Sequence, residues 1–197
     1  MRAWIILEAE AWALLQANGR LTCPRHLACG TEEFVPAYAW MRDRLVDAGI
    51  APPAENLTPW WCWVQRDGEH PAPFAEDTAG VEVPVVLQLR LPTDAVALSC
   101  FDLWHWVLNG WFLPASTAEG DAFNAELVFT GETPAIGEKR RASWARIFDL
   151  GNMLGEPLPL EARCIQGCFW ELRLSDVVGA ATELDHLQRE DLEDPGA

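Results

Sequence analysis

The sequence predicts a single α+β domain, in which a central mixed or antiparallel sheet with flanking helices surrounds a tryptophan-rich core. Its 197 residues are a usual length for one domain. Some apolar stretches follow the two-residue period of strands and others follow the helical period. The 11 tryptophans add side chains that are large and mostly buried in folded proteins. We therefore expect one domain over residues 1–182.

The composition and the charge restrict the partners of this chain. Half of the residues are apolar and 22% are charged, which is enough apolar material for a folded core. The formal net charge of −16 makes nucleic acid and anionic membrane surfaces poor partners, because binding to them depends on Lys and Arg. Carboxylates crowd residues 183–197, so we expect a flexible acidic tail there.

The opening segment and the apolar runs predict a cytoplasmic protein that does not enter a membrane. No run approaches the ~20 apolar residues that cross a bilayer. Glu8 and Glu10 stand where a signal peptide would be uniformly apolar.

The cysteines predict buried thiols rather than disulfides or a metal site. The six cysteines fall largely within apolar stretches of a sizeable domain. Cys23, His26 and Cys29 are spaced three apart, but they lack the CxxC spacing typical of zinc sites. We therefore predict no metal, and no motif in the sequence specifies a cofactor.

The first predicted elements are a strand and two helices. Residues 4–7 form a continuous apolar run, typical of a strand buried on both faces. A helix follows Glu8 and ends at Gly19, which supplies a left-handed residue. Its apolar side is expected to hold Ala11, Trp12, Leu14 and Leu15. Thr31 is predicted to cap a second helix that ends at Gly49.

The remaining elements follow from changes in the apolar period. Residues 60–64 predict an aromatic strand, and residues 67–80, rich in proline and acids, predict a loop long enough to be a lid. Side chains alternate in polarity over residues 85–91, which predicts a strand with one face more exposed to water, the wetter face. Further strands are expected at residues 95–99 and 160–174, and helices at 102–111, 123–128, 138–148 and 176–189.

The clearest candidate for chemistry is a stripe on the helix at residues 102–111. Asp102, His105 and Asn109 are spaced three and four apart, so they lie along one side of a helix. The Asp102 carboxylate could orient the His105 ring for general acid or base catalysis, with Asn109 fixing a ligand. In the alternative interpretation, Asp102 is the N-cap of the helix and the stripe has a structural role.

Further candidate residues would bind a ligand. Gln166 lies between thiols on an apolar face, where a buried amide must find partners. Gly167 would permit a bulge beside it, while Glu171 is expected to pair with Arg173 or Lys139. Several tryptophans could line a cleft that stacks on a planar ligand, although burial preferences favour the alternative, in which they simply form an aromatic core. The ligand-binding candidates are Asn109, Tyr38, Gln166, Trp104, Trp61 and Trp63.

Sequence motifs along the chain resemble those of a bacterial family of unknown function, number 3841. They are Trp4-Ile5-Ile6-Leu7, Gly19-x-Leu21, Tyr38-x-Trp40-Met41, Trp61-x-Trp63, Asp102-x-Trp104-His105-x-Val107-Leu108-Asn109-x-Trp111, Ser143-Trp144-x-x-Ile147-Phe148-Asp149 and Gln166-x-x-Phe169-Trp170-Glu171-Leu172. They span about residues 1–180. The resemblance implies a compact intracellular bacterial domain and brings no activity with it. The family's first strand usually continues into Gln or Thr, where this chain has Ile5 and Leu7.

The order of elements is also similar to that of small bacterial ADP-ribosyltransferase-like domains. That resemblance implies a His or Arg on the first strand, holding the nicotinamide ribose, and an acid on a late strand. Arg2 and Glu171 occupy comparable places here. Fold similarity alone does not establish function.

Two functional hypotheses follow from these residues. In the first, the protein is an enzyme or former enzyme that binds a planar or nucleotide-like small molecule in a tryptophan-lined cleft. In the second, it is a non-catalytic module whose acidic surface binds a basic protein, and its polar residues serve the fold. The sequence lacks the phosphate-loop, dinucleotide-binding, α/β-hydrolase and zinc-protease motifs.

Overall fold

A six-stranded antiparallel sheet organises the chain, and a three-stranded sheet lies beside it. The computed structural model describes residues 1–24, 32–66, 80–150 and 164–181. In these ranges the strands are β1 (Arg2–Glu8), β2 (Arg20–Pro24), β3 (Leu57–Thr58), β4 (Trp60–Gln65), β5 (Pro84–Arg90), β6 (Ala97–Cys100), β7 (Ile165–Phe169), β8 (Glu171–Arg173) and β9 (Val177–Ala181). The α-helices there are α1 (Ala9–Asn18), α2 (Val35–Asp47), α3 (Phe101–Leu108), α4 (Thr117–Thr130) and α5 (Pro134–Ser143).

The topology confirms the predicted α+β class and shows that the sheet is antiparallel rather than mixed. The large sheet has the order β6-β7-β4-β1-β5-β9, and the small sheet has the order β3-β2-β8. Every pairing between these strands is antiparallel. No helix in the described ranges is long and apolar enough to cross a bilayer.

The large sheet is buried on both faces, and each face has its own core. The first core contains Ile5, Leu7 and Leu87 from the sheet, with Leu15 of α1 packed against them. The second core lies on the opposite face and includes Met41 of α2 and Trp104 of α3. Because β1 alternates between the two faces, it needs apolar residues at successive positions. This explains the continuous run at residues 4–7.

The same arrangement corrects the expectation of a wetter face on β5. Val86 and Gln88, on the side predicted to be wetter, are both buried, and Arg90 at the end of the strand is exposed. The alternation in the sequence is real, but helices cover both faces of this sheet. Gln88 is therefore a buried polar residue of the sheet and does not mark a face in contact with water.

Helix α1 ends as the sequence predicts, but its buried side is narrower. Gly19 has φ 72° and donates its backbone N–H to the Leu15 carbonyl at 2.8 Å. Leu15 is buried, whereas Leu14 is 52% exposed. Successive helical residues are rotated by about 100°, so both leucines cannot face the sheet.

The other predicted helices are present with shifted ends. A 3₁₀ turn over Glu32–Phe34 leads into α2, whose N-cap is Phe34. The predicted cap, Thr31, lies outside the described residues. Helix α4 begins earlier than expected because Ser116 caps it, accepting a hydrogen bond from the Glu119 backbone N–H at 3.2 Å. A 3₁₀ turn over Trp144–Phe148 follows α5.

The end of the chain departs from the prediction twice. The expected strand over residues 160–174 breaks at Trp170, where the chain passes from β7 in the large sheet to β8 in the small one. Leu172 therefore joins the first core while Cys168 belongs to the second.

The helix predicted from residue 176 is wrong, because residues 177–181 form β9 and pair with β5. The unpaired backbone groups of β5 outweigh a weak helical pattern. Residues 182–197, including the predicted tail, lie outside the described ranges.

Gly167 of β7 lies in close contact with side chains of the first core. A Cβ at this position would lie 2.7 Å from Val96 Cγ1 and 2.9 Å from Cys62 Sγ. The predicted bulge is on β4 instead, between Trp63 and Gln65, opposite β7. Gly167 is therefore required for close packing, not for a bulge.

We predict that Gly167→Ala lowers the free energy of unfolding by about 1–3 kcal/mol, because the added methyl group overpacks the core. The matched control is Gly137→Ala in α5, where the nearest atom to an added Cβ is Arg141 Nη1 at 3.8 Å. That change should instead stabilise the protein by roughly 0.5–1 kcal/mol, because alanine favours helix. Urea unfolding of both variants measures the difference, and a loss of equal size in both would contradict this account.

Candidate functional site

A cavity of about 390 Å³ opens on the second-core face of the large sheet, beneath α2 and α3. Its volume lies within the roughly 300–1,000 Å³ that is usual for small-molecule pockets. The residues that line it are Trp4, Ile5, Ile6, Tyr38, Trp61, Cys62, Trp63, Phe101, Trp104, His105, Leu108 and Gln166. Five of the six ligand-binding candidates from the sequence, all except Asn109, are among them, together with His105.

The register of the sheet brings the floor of the cavity together. Trp4 of β1 pairs with Trp63 of β4, and Trp63 pairs with Gln166 of β7. Gln166 in turn pairs with Ser99 of β6. Residues directly opposite each other in an antiparallel sheet project from the same face. The four side chains therefore form a row across the sheet, drawn from four segments that are distant in sequence.

Three aromatic rings form one wall. Trp61 and Trp104 lie with ring centroids 4.7 Å apart and planes inclined at 37°. Tyr38 meets both edge-on, at 5.9 Å from Trp61 and 5.7 Å from Trp104. Such tilted and edge-to-face contacts are the favoured geometries of aromatic pairs. Helices α2 and α3 are thus fixed against β4 by the rings that line the cavity.

A second set of rings leads from the sheet to the solvent. Phe101 packs on Trp63 with centroids 4.5 Å apart and meets the His105 ring edge-on at 4.7 Å. His105 is exposed, so it marks the mouth of the cavity. The guanidinium of Arg66 lies 4.6 Å from the ring centroid of Trp63. A positive charge therefore stands close to one of the lining rings.

His105 is oriented by the backbone of its own helix. Its Nδ1 atom lies 3.1 Å from the Phe101 carbonyl oxygen. Because a carbonyl can only accept, Nδ1 carries the hydrogen and Nε2 of the neutral ring is an acceptor. The ring therefore offers an acceptor at the mouth of the cavity.

Gln166 is the buried polar group of the floor. It is 5% exposed, and its Nε2 donates to the Oγ of Ser99 at 3.2 Å. Ser99 is itself completely buried, so this contact fixes the orientation of the amide. The carbonyl oxygen Oε1 is the part of the amide that this contact leaves for an occupant of the cavity.

Asp102 and Asn109 are not among the residues that line the cavity. Asp102 is exposed in the first turn of α3, and the N-cap is Cys100, so the interpretation of Asp102 as the cap is wrong. The partner of the imidazole Nδ1 is the Phe101 carbonyl rather than the predicted carboxylate. Asn109 donates from Nδ2 to the His105 carbonyl oxygen at 2.7 Å, which caps the end of the helix.

Two indole N–H groups beside the cavity lack an acceptor within the described part of the chain. They belong to Trp4 and Trp61, and both nitrogen atoms are fully covered. A buried polar group left without a partner costs about 1–3 kcal/mol. Trp60, the neighbour of Trp61 on β4, contrasts with them because its Nε1 donates to the Leu21 carbonyl at 3.2 Å.

We predict that Trp60→Phe destabilises the fold by about 1 kcal/mol more than Trp61→Phe, because only the first change removes a satisfied hydrogen bond. Both side chains are partly buried and adjacent on one strand, so the loss of packing is comparable. Chemical denaturation of the two variants tests this difference. Equal losses would mean that the Trp61 indole has an acceptor in solution.

Cys62 lines the cavity, and its side chain is buried. Burial raises the pKa of its thiol to about 12, although a backbone hydrogen bond at Gly167 opposes the shift. Burial also raises the pKa of Cys168. Since the thiolate is the reactive form, we expect both thiols to react slowly in the folded protein. The prediction of buried thiols is confirmed for Cys62, Cys100 and Cys168, whereas Cys23 and Cys164 are partly exposed.

We predict that Cys62 resists iodoacetamide at mildly alkaline pH in the folded protein and reacts readily in urea. The raised pKa keeps the thiol protonated across this range, and unfolding returns it toward its ordinary value. Mass spectrometry of the alkylated peptide measures the reaction at this cysteine alone. Rapid labelling of folded protein would show that the thiol reaches solvent.

Sequence reasoning missed several residues of the cavity and chose some that lie elsewhere. Trp4, Ile6, Phe101 and Leu108 line it without having been chosen. The one sequence signal that could have pointed to this part of the cavity was Trp4, an aromatic residue with a polar N–H inside an otherwise aliphatic run.

Other predicted residues of the described ranges do not line the cavity. Arg2 is exposed on β1, and Glu171 lies on β8 with its carboxylate 3.5 Å from Arg173 and 3.9 Å from Arg20. His26 and Cys29 lie outside the described residues, and the described ones contain no cluster of metal ligands.

The architecture and cavity define the class of this protein: an α+β domain with an aromatic cavity on one face of an antiparallel sheet. The chain matches the family described as Domain of unknown function (DUF3841) over residues 2–178, and it belongs to that family. The resemblance indicated by the sequence motifs is thereby confirmed. No curated protein and no solved structure matches the chain.

Proposed function

We propose that this protein binds a small planar molecule in the aromatic cavity. The observation that carries the proposal is the composition of the wall, in which rings from two helices and the sheet surround a space of about 390 Å³. His105 and Gln166 add acceptor atoms at the mouth and the floor. Natural ligand pockets have this character, with mostly apolar and aromatic walls and few polar groups.

A planar shape is supported by the surfaces that the cavity offers. Trp61, Trp104 and Tyr38 contact one another, so the rings form continuous walls rather than isolated anchors. Flat aromatic ligands gain most from such walls, because stacked and edge-to-face contacts both become available. The planar or nucleotide-like ligand predicted from the sequence is therefore part of this proposal.

The proposal concerns binding rather than a particular reaction. The Nδ1 atom of His105 is held by a backbone carbonyl and not by Asp102, so the predicted carboxylate does not orient the imidazole for acid or base catalysis. The competing hypothesis, an acidic module that binds a basic protein, assigns no role to this cavity. A cytoplasmic location stays a prediction of the sequence.

We predict that Leu108→Trp weakens ligand binding and leaves the fold intact. Leu108 lies at the end of α3, at the edge of the second core, and is only partly buried, so a larger ring can extend into the cavity. Affinity for uncharged two-ring aromatic fragments, such as indole and isoquinoline, should fall by about tenfold or more. Isothermal titration calorimetry and ligand-observed NMR measure the affinity, and circular dichroism monitors the fold.

The matched control is Leu14→Trp, which adds the same ring at an exposed position of α1, the helix that packs on the first core. It should bind the fragments as the parent protein does. If the parent protein binds none of them, or if both variants bind equally well, the cavity is not the ligand site. The first of these outcomes would favour the protein-interaction module.

A further inference from the structure

We infer that the cavity selects an uncharged planar heterocycle that carries an N–H donor, and that Gln166 is the residue that recognises this donor. The inference rests on the proposed function and adds the chemical class of the ligand. It depends on which charges and which hydrogen-bonding atoms the described wall presents.

The described part of the wall offers no charged partner to an ionic ligand. The described residues that line the cavity include no Lys, Arg, Asp or Glu. An ion beside them would lose hydration without gaining a counter-ion from them, and this is costly in an apolar environment. The net charge of the chain, −16, further disfavours an anion.

Two polar side chains of the wall are oriented by contacts within the protein and present acceptors. His105 donates its Nδ1 hydrogen to the Phe101 carbonyl and therefore presents Nε2 as an acceptor. Gln166 donates from Nε2 to Ser99 and presents Oε1. Of the four indole N–H groups in the lining, those of Trp4 and Trp61 are covered by neighbouring atoms. A ligand that complements the two oriented acceptors has a hydrogen to donate.

Gln166 determines the selectivity because its amide is held in place before a ligand arrives. Gln166 is 5% exposed and Ser99, its partner, is 0% exposed, so the hydrogen bond between them is shielded from solvent. A fixed buried acceptor discriminates strongly, because a ligand without the matching hydrogen leaves it unpaired. His105 is exposed, so water can replace the ligand at its Nε2 atom. His105 therefore contributes less to selection.

A set of matched two-ring fragments tests the inference at neutral pH by calorimetry. Indole carries one N–H donor, and N-methylindole has nearly the same shape without it. Isoquinoline offers an acceptor only, N-methylisoquinolinium is a cation, and indole carboxylate is an anion. We expect indole to bind about five- to tenfold more tightly than N-methylindole, which is the contribution of one hydrogen bond. We expect both ions to bind at least about tenfold more weakly than indole.

Gln166→Met tests the assigned residue, since it keeps the length of the side chain and removes the acceptor. The preference for indole over N-methylindole should fall to about one, while N-methylindole binds as before. Because Gln166→Met leaves the Ser99 hydroxyl unpaired, the double variant Ser99→Ala with Gln166→Met provides a second measurement. Removing both partners is nearly neutral for folding, and the preference should again disappear.

The outcomes separate this inference from the proposed function. If Leu108→Trp blocks the fragments but indole and N-methylindole bind equally, the cavity is a ligand site and the inference is wrong. Tighter binding of isoquinoline or of either ion than of indole would overturn it as well. If no fragment binds the parent protein, the proposed function and this inference fail together.

Discussion

The structure depends on one constraint, which is that the large antiparallel sheet is covered on both faces. Side chains of every strand alternate between two cores, so each central strand must supply residues suited to both. Strand β1 does so with an unbroken apolar run. The helices that cover the second face also carry the rings of the cavity. The core and the candidate site are therefore built from the same residues.

The cavity follows from an incomplete match between the helices and this face. Where α2 and α3 meet the sheet, tryptophan and tyrosine rings fill most of the space, yet a volume of about 390 Å³ is left open. The rings meet in tilted and edge-to-face geometries, which restricts how they can fill this face. The covered N–H groups of Trp4 and Trp61 lack an acceptor in the described part of the chain, which is a cost in stability on this face of the sheet.

Much of the fold could be predicted from the chain itself because its signals are local. The run at residues 4–7, the glycine stop at Gly19 and the apolar side of α2 all depend on neighbouring residues. The largest errors in the predicted elements came at the end of the chain. Residues 177–181 pair with β5, and Leu172 changes face because the chain moves between sheets. Both facts depend on partners that are distant in sequence.

The candidate site, like the fold, could be predicted from the sequence only in part. The sequence by itself determined that the chain has an aromatic interior and that His105, Gln166 and several tryptophans were the residues to examine, because composition and helical spacing are properties of the chain alone. Only the tertiary structure decided which of them meet. The register of three strands places Trp4, Trp63 and Gln166 in one row, and the Phe101 carbonyl rather than Asp102 is the partner of the imidazole Nδ1. The pairing of strands joins segments that are distant in sequence, and a pattern of period two or of helical period identifies an element without identifying its partner.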